Sequence, residues 1–143
     1  MASRKPDNFL ETCGALSRCL RSVTAQAYVT SEVGSTQAKF LRHIDSHTRI
    51  SQADLARATQ TDPTLTGRVL ATLVERGWVR RERSEEDRRQ YVLELSTSGR
   101  RAYKRVQEAR EQVSRRIGTV LDRRDLEDFE RVASKVLVAL QGS

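Results

Sequence analysis

The chain has 143 residues, of which 37% are hydrophobic, so it can bury one core without needing two independent domains. No apolar run is long enough to span a membrane and the N-terminus lacks a secretory signal, so we expect a cytoplasmic protein with no membrane partner. Two cysteines six residues apart do not make a disulfide framework, and we expect both thiols to be reduced.

The net charge of +7 and the sequence pI of about 10.1 suit a polyanionic partner such as nucleic acid. This charge is unevenly distributed. Residues 1–50 carry 7 Lys and Arg against 4 Asp and Glu, residues 51–90 carry 8 against 7, and residues 91–143 carry 11 against 8. The central segment is nearly neutral, so net charge alone is weak evidence for DNA binding.

The first two helices are predicted from the spacing of their apolar residues. Residues 7–29 carry one narrow stripe that suits a partner helix, formed by Phe9, Cys13, Leu16, Leu20, Val23 and Ala27. After Gly34, Ser35 is placed to cap a second helix that ends near His47. In that helix the side chains expected to turn inward are Phe40, Leu41 and Ile44.

A helix-turn-helix follows. Ser51 is placed to cap a short helix over residues 51–59, and the tight connection Gln60–Thr61 leads into a second helix. Asp62 is a suitable N-cap for this second helix, Pro63 fits its first position, and Gly77 marks its end. Its predicted apolar face consists of Leu65, Val69, Leu70 and Leu73, and its other sides carry Thr64, Thr66, Gly67, Arg68 and Thr72.

The period then changes from helical to strand-like. Residues 78–83 and 90–95 read as two strands joined by the charged loop 84–89, with Tyr91, Leu93 and Leu95 on one face. Thr97 or Ser98 is placed to cap a long helix, and Asp122 a final helix. The apolar residues of the final helix, which need a packing partner within or between chains, are Leu126, Phe129, Val132, Val136 and Leu140.

This order of elements resembles the MarR family of bacterial transcriptional regulators. Residues 55–59, 62–70 and 73–79 are similar to the family's helix-turn-helix, and Asp87-Arg-Arg89 with residues 92–99 is similar to its Asp-x-Arg wing. In the turn, Gln60 replaces the small residue or glycine common in the family. The resemblance implies a mainly α fold with a small β-hairpin wing, in which residues 35–97 are the winged helix-turn-helix and residues 1–34 and 98–143 supply dimerisation helices.

The helix that begins at Pro63 has the size and position to enter a major groove of double-stranded DNA, although the same sequence also suits an ordinary surface helix. Thr64 and Thr66 would reach base edges or a thymine methyl group, and Gly67 follows them on the same DNA-facing helix. Arg68 would pair with guanine or a phosphate. The N-terminus at Ser51 and Gln52 would offer backbone donors to a phosphate.

The wing tip has two interpretations. Asp87, Arg88 and Arg89 form either a solvated charge run, which the neighbouring Glu85 and Glu86 favour, or a DNA contact. The resemblance favours the second, with Asp87 orienting Arg89 by an ion pair and Arg89 entering the minor groove.

The remaining candidates concern cysteines and histidines. Some members of the family sense peroxides through a cysteine that Cys13 resembles, but Cys13 and Cys19 also suit small buried hydrophobic residues. His43 and His47 share a helix face but lack a third histidine, so we expect no metal site. No nucleophile elbow, phosphate-binding glycine loop or carboxylate pair is present, so we expect neither an enzyme nor a cofactor.

These features predict a sequence-specific DNA-binding regulator. The resemblance implies a homodimeric repressor of a pseudo-palindromic operator, released by a small aromatic or anionic effector that binds between the dimer core and the DNA-binding regions. A thiol-based redox regulator and a protein-interaction module remain as alternatives.

Overall fold

A computed structural model describes residues 6–47 and 49–142. Most of this chain is helical, with one small antiparallel sheet, as the resemblance implied. The helices are α1 (Pro6–Val29), α2 (Ser35–Asp45), α3 (Gln52–Thr59), α4 (Pro63–Glu75), α5 (Thr97–Gly118) and α6 (Arg123–Gln141), and the strands are β1 (Ile50–Ser51), β2 (Val79–Arg83) and β3 (Tyr91–Leu95). In the part of the chain that is described, no helix is both long enough and apolar enough to cross a membrane.

The chain divides into two compact units, residues 1–110 and residues 111–143. The first holds α1 to α4, the sheet and most of α5, and the second holds the end of α5 and all of α6. This division lies inside α5, whereas the sequence placed a boundary between residues 97 and 98. The assignment of residues 1–34 and 98–143 to dimerisation stays a prediction.

The core of the first unit lies where α2, α3 and α4 meet the sheet. The three apolar residues predicted to turn inward from α2 are all buried, which confirms that prediction. Burying such side chains contributes on the order of 1.5–3 kcal/mol each, so this cluster holds the helix-turn-helix against the wing. Its fully buried large apolar side chains include Phe40, Leu41, Ile44, Leu55, Leu70, Leu73 and Leu93.

The sheet has three strands in the order β1-β3-β2, with both pairings antiparallel. Arg83 lies opposite Tyr91 and Val79 opposite Leu95, which is the predicted hairpin. The sequence prediction missed β1, in which Ile50 pairs with Leu93. Two residues are too few to show the alternation that marks a strand, so this element has no sequence signal of its own.

Three of the predicted helix caps are present. Asp62 accepts a hydrogen bond from the Leu65 amide at 3.0 Å, Ser51 accepts one from the Asp54 amide at 3.0 Å, and Asp122 accepts one from the Asp125 amide at 2.8 Å. Each bond satisfies one amide that a helix N-terminus leaves without an intrahelical partner.

Two predicted caps were wrong by one or two positions. Helix α2 begins at Ser35 itself, with Gly34 in the N-cap position and no side-chain cap. Helix α5 begins at Thr97, and the hydroxyl of Ser96 accepts the Gly99 amide at 3.0 Å. Neighbouring serines and threonines are equally suitable caps, so the turn that precedes the helix decides between them.

The N-terminus of α5 packs tightly against the residue that precedes β2. The carbonyl of Trp78 accepts the Ser96 amide at 3.0 Å, and the Ser96 hydroxyl donates to the Gly77 carbonyl at 2.5 Å. A β-carbon built on Gly99 would lie 1.9 Å from the Trp78 carbonyl oxygen. Only glycine permits this approach, which fixes the start of α5 to the base of the wing.

In the second unit, α6 leaves most of its apolar side chains exposed. The predicted stripe is on the surface of the single chain, apart from the half-buried Val136. The large exposed apolar residues of this helix are Leu126, Phe129, Val132, Leu137, Val138 and Leu140. An exposed apolar face of this extent is typical of an interaction surface.

Candidate nucleic-acid interface

The turn between α3 and α4 depends on Gln60, which adopts a left-handed conformation with φ 51° and ψ 43°. The Thr61 amide donates to the Ala56 carbonyl at 3.0 Å and the Gln60 amide to the Arg57 carbonyl at 3.2 Å, which closes the end of α3. Glycine adopts this conformation without strain, which agrees with the small residue or glycine that the resemblance implied at this position. This chain accepts the backbone strain of a larger residue instead.

The face that α4 turns toward the core differs from the predicted one. Thr66 is 0% exposed, and its hydroxyl lies 3.4 Å from the Thr61 carbonyl, whereas Leu65 is 37% exposed. Thr66, Leu70 and Leu73 form the buried spacing i, i+4, i+7. The prediction that Thr66 reaches base edges is therefore wrong, because its side chain is enclosed between α3 and α4.

The remaining predicted contacts of α4 lie at its accessible N-terminal half. Pro63, Thr64 and Arg68 are exposed, and Gly67 is half-buried beside Gln52. The Arg68 carbonyl accepts a bond from the Thr72 hydroxyl at 3.3 Å. The exposed Arg68 side chain places a guanidinium in the first half of α4. The N-terminus of this helix also carries the partial positive charge of the helix dipole.

The N-terminus of α3 is only partly available to a phosphate. The Ser51 hydroxyl is used in capping, and Gln52 lies half-buried with its Oε1 atom enclosed and without a hydrogen-bond partner. Hydrogen bonds with Ser51 and then Arg57 hold the pKa of the Asp54 carboxyl below its ordinary value. An ionised carboxylate in this first turn repels phosphate, so the prediction for Ser51 and Gln52 rests on their backbone amides alone.

The wing tip is held by its own hydrogen bonds. The Ser84 amide donates to the Gln90 carbonyl at 2.9 Å, and the Gln90 amide to the Asp87 carbonyl at 2.9 Å. Asp87 Oδ1 accepts both the Arg89 amide at 3.1 Å and the Arg89 Nε at 3.2 Å. The ion pair that the resemblance implied is present, while the Arg89 side chain stays 92% exposed.

A second arginine supports the same loop from the strand. The Arg83 guanidinium donates to the Arg88 carbonyl at 2.6 Å and lies 4.7 Å from the centre of the Tyr91 ring. The Arg81 guanidinium lies 4.3 Å from the same ring. Arg83 and Tyr91 thus connect the strands to the tip, and we call them the wing clasp.

The cysteines and histidines do not assemble a site. Cys13 and Cys19 are both exposed on α1, so the interpretation as buried hydrophobic residues is wrong for the single chain. His47 Nδ1 lies 2.7 Å from the His43 carbonyl, and burial, followed by the charge of Arg42, lowers the pKa of His43. Within residues 6–47 and 49–142, no group of three metal-ligating side chains is present.

A cavity of about 280 Å³ lies away from α4 and the wing, where α1, α2 and the middle of α5 meet. Four cationic residues line it, together with hydroxyl groups and a few apolar side chains. From α1 come Arg21, Thr24 and Tyr28, from α2 come Ser35, Thr36, Ala38, Lys39 and Arg42, and from α5 come Val106 and Arg110.

The comparisons with known proteins agree with this geometry. Residues 34–91, which contain α2, the helix-turn-helix and most of the wing, match the model of the MarR family. The region from α2 to the start of β3 is therefore similar to the MarR family. Members of this family are transcription regulators that bind DNA, and they are not enzymes. No curated protein sequence matches the chain.

Solved structures extend the likeness of fold to nearly the whole chain. A Staphylococcus aureus MarR in complex with salicylate and kanamycin has a TM-score of 0.85 at 17% identity, covering 96% of this chain and 93% of that one. A MarR regulator from Methanosarcina mazei Go1 has 0.81 at 22% identity, covering 94% and 98%. A mutant E. coli MarR complexed with operator DNA has 0.78 at 20% identity, covering 94% and 99%.

Sequence reasoning missed both the wing clasp and the cavity. The clasp had a signal, since Arg83 and Tyr91 are opposite partners in the predicted hairpin and an arginine beside a tyrosine favours stacking. The cavity had none, because its four cations lie far apart in the sequence and meet only when three helices pack together.

Proposed function

We propose that this protein is a MarR-family regulator, a homodimeric repressor that binds a pseudo-palindromic operator through α4 and the wing. The observation that carries the proposal is the pair of exposed cations on the two DNA-reading elements, Arg68 on α4 and Arg89 held by Asp87 at the wing tip. Arg68 with Pro63 and Thr64 would read the major groove, and Arg89 with Arg88 the adjacent minor groove.

The homodimer is supported by apolar side chains that the single chain leaves in water. On α1 the exposed large residues include Phe9, Leu16 and Leu20, and α6 exposes the six named above. A second copy of the chain would cover these faces, and two-fold symmetry would place two copies of α4 about one helical turn of DNA apart. Residues 1–34 and 98–143 would then serve dimerisation and residues 35–97 DNA binding.

Release by a small ligand is the regulatory part of the proposal. The cavity is bounded by α2, and the first turn of α2 is joined to the C-terminal end of α4, where the C-cap residue Arg76 donates to Gln37 Oε1 at 3.0 Å. A ligand that favours one placement of α2 would change the population of DNA-binding conformations. The salicylate complex of the similar S. aureus structure supports a small aromatic or anionic effector.

DNA binding is tested by fluorescence anisotropy with the protein's own promoter fragment and a scrambled fragment of equal length. We expect saturable, sequence-selective binding whose affinity falls steeply as salt is raised, because Lys and Arg displace counterions from phosphates. Absence of binding at low salt would contradict the proposal and favour a winged-helix module that binds protein instead.

Thiol-based sensing is a second candidate, favoured by the exposure of Cys13 and Cys19. In this case peroxide would oxidise Cys13 and lower operator affinity. The test is operator release after peroxide treatment, with mass spectrometry of both cysteines and with Cys13→Ser beside the unchanged protein. Release that persists in Cys13→Ser excludes Cys13 from the response.

A further inference from the structure

The cavity between α1, α2 and α5 concentrates positive charge without compensation. Arg21, Lys39, Arg42 and Arg110 line it, and no aspartate or glutamate is among its lining residues in the described chain. None of the four takes part in an ion pair there. Lys39 Nζ lies 3.4 Å from the Thr59 carbonyl, and Arg110 Nη1 lies 3.5 Å from the Tyr28 hydroxyl, so neither has a charged partner.

The first turn of α2 adds to this potential. Ser35 and Thr36 line the cavity at the start of an 11-residue helix that has neither a side-chain cap nor an acidic residue in its first turn. The N-terminus of a helix carries a partial positive charge and presents backbone amides to anions. Burial lowers the pKa of the nearby His43, and the charges of Arg42, His47 and Lys39 lower it further, as positive charge along α2 should.

The size and composition of the cavity limit what can fill it. Its volume of about 280 Å³ is just below the usual range for small-molecule sites, so only a compact ligand fits. Ala38, Val106 and the ring of Tyr28 supply an apolar wall, while the hydroxyls of Thr24, Ser35 and Thr36 supply polar partners. A compact ligand with an apolar body fits this combination better than a bare inorganic ion does.

We propose that this cavity binds a small organic dianion, a compact apolar body bearing two carboxylates or one phosphate monoester. Four cations in one concave site repel one another, and a ligand with a single negative charge compensates only part of that repulsion. Two anionic groups can each engage a different pair of cations through charge-assisted hydrogen bonds. The inference names the class of ligand that the effector site binds. The role of that ligand in regulation rests on the proposed function.

The test compares two probes that differ in one substituent. Phthalate and salicylate share a benzoate ring, but phthalate carries a second carboxylate where salicylate carries a hydroxyl. Titration calorimetry of the full chain without DNA should show phthalate binding at least about tenfold more tightly, as expected for one additional charge-assisted bond. Equal binding, or tighter binding of salicylate, overturns the inference if phenyl phosphate also binds no more tightly than salicylate.

Phenyl phosphate, which is a dianion at about pH 8, is the second probe and guards against a carboxylate spacing that does not fit. Absence of binding by both dianions overturns the inference. Inorganic phosphate that binds as tightly as phenyl phosphate would also overturn it, because the apolar wall would then contribute nothing.

Variants locate the site. Arg42→Gln and Arg21→Gln should each weaken dianion binding by at least about fivefold, whereas Arg18→Gln, an exposed α1 residue that does not line the cavity, should leave it unchanged. Equal effects of all three overturn the placement. Failure of this inference can be told apart from failure of the proposed function. A dianion that binds the cavity but does not release operator DNA contradicts the effector role, while the inferred ligand class still holds.

Discussion

At the tip of the wing, Asp87 holds the Nε atom of Arg89 at 3.2 Å while the rest of that side chain remains in solvent. This arrangement reduces the entropy that Arg89 loses on entering a narrow groove, because its orientation is already restricted. We therefore expect Arg89 to be the minor-groove residue. We expect Arg88, whose backbone carbonyl accepts a bond from Arg83, to contribute mainly charge.

We expect Arg89→Ala to weaken operator binding by more than about tenfold at fixed salt, since a desolvated cation in the minor groove is lost. Arg88→Ala is the matched control, because it removes the same charge from the neighbouring position. The loss of affinity caused by Arg88→Ala should be several times smaller, and its size should depend on the salt concentration. Equal effects of the two substitutions in anisotropy titrations would contradict a specific role for Arg89.

Gly99 is the residue whose replacement should most directly disturb the fold. A methyl group there would lie 1.9 Å from the Trp78 carbonyl oxygen, so the start of α5 has to move away from the base of the wing. We expect Gly99→Ala to lower the free energy of unfolding by about 1–3 kcal/mol or more, as overpacking does. Urea denaturation measures this, with Gly118→Ala as the control, because a β-carbon there meets nothing within 4 Å.

At the scale of elements, the wing is a preorganised hairpin. Arg80 pairs with Glu94 across the strands at 3.5 Å, and the wing clasp of Arg83 and Tyr91 connects the strands to the tip. The paired Arg80 and Glu94 are largely exposed, so their pairing contributes little to stability. The wing clasp fixes the position of the tip, because the Arg83 guanidinium both stacks on the Tyr91 ring and donates to the Arg88 carbonyl.

We expect Arg83→Lys to weaken operator binding by roughly threefold, although it preserves the charge, because lysine cannot both stack and hold the Arg88 carbonyl. The loss should disappear when Arg89 is already alanine, since the clasp acts through the placement of Arg89. Arg80→Lys is the control and should have little effect in either background. Equal losses from Arg83→Lys with and without Arg89 would show instead that Arg83 contacts DNA by itself.

Helix α4 shows which structural features a local sequence pattern can predict. Its beginning, its cap and its end were predicted correctly, because Asp62, Pro63 and Gly77 act on backbone groups within a few residues. Its inward face was predicted with Leu65 in place of Thr66. Leucine is the more apolar of the two, but the close packing of α3 against α4 encloses the smaller side chain.

At the scale of the whole molecule, α1 and α6 present apolar side chains that a single chain leaves in solvent. The proposed operator binding needs two DNA-binding regions at a fixed separation, and a dimer formed through these faces would supply it. In such a dimer, a ligand would change DNA binding by changing the separation of the two copies of α4. The affinity of one α4 for one half-site need not change.

Phe129→Glu should weaken dimerisation by more than about tenfold, because it removes an exposed aromatic ring that the proposed dimer would bury and places a charge in that apolar interface. Ser134→Glu introduces the same charge at an exposed polar position of α6 and should leave the dimer intact. Sedimentation velocity over a range of concentrations separates the two. Operator affinity should fall with the loss of the dimer, and a monomer that binds the full operator normally would contradict the proposed mechanism.

The sequence by itself determined the order of the six helices and the hairpin, three of the N-caps, and the likeness to the MarR family. These features depend on capping groups, apolar period and turn residues that lie close together in the chain. Tertiary structure decided which face of α4 is buried, that Ile50–Ser51 adds a third strand, and that four cations from three helices surround one cavity. Each of these results from packing between segments distant in sequence, where volume and close approach outweigh local preference.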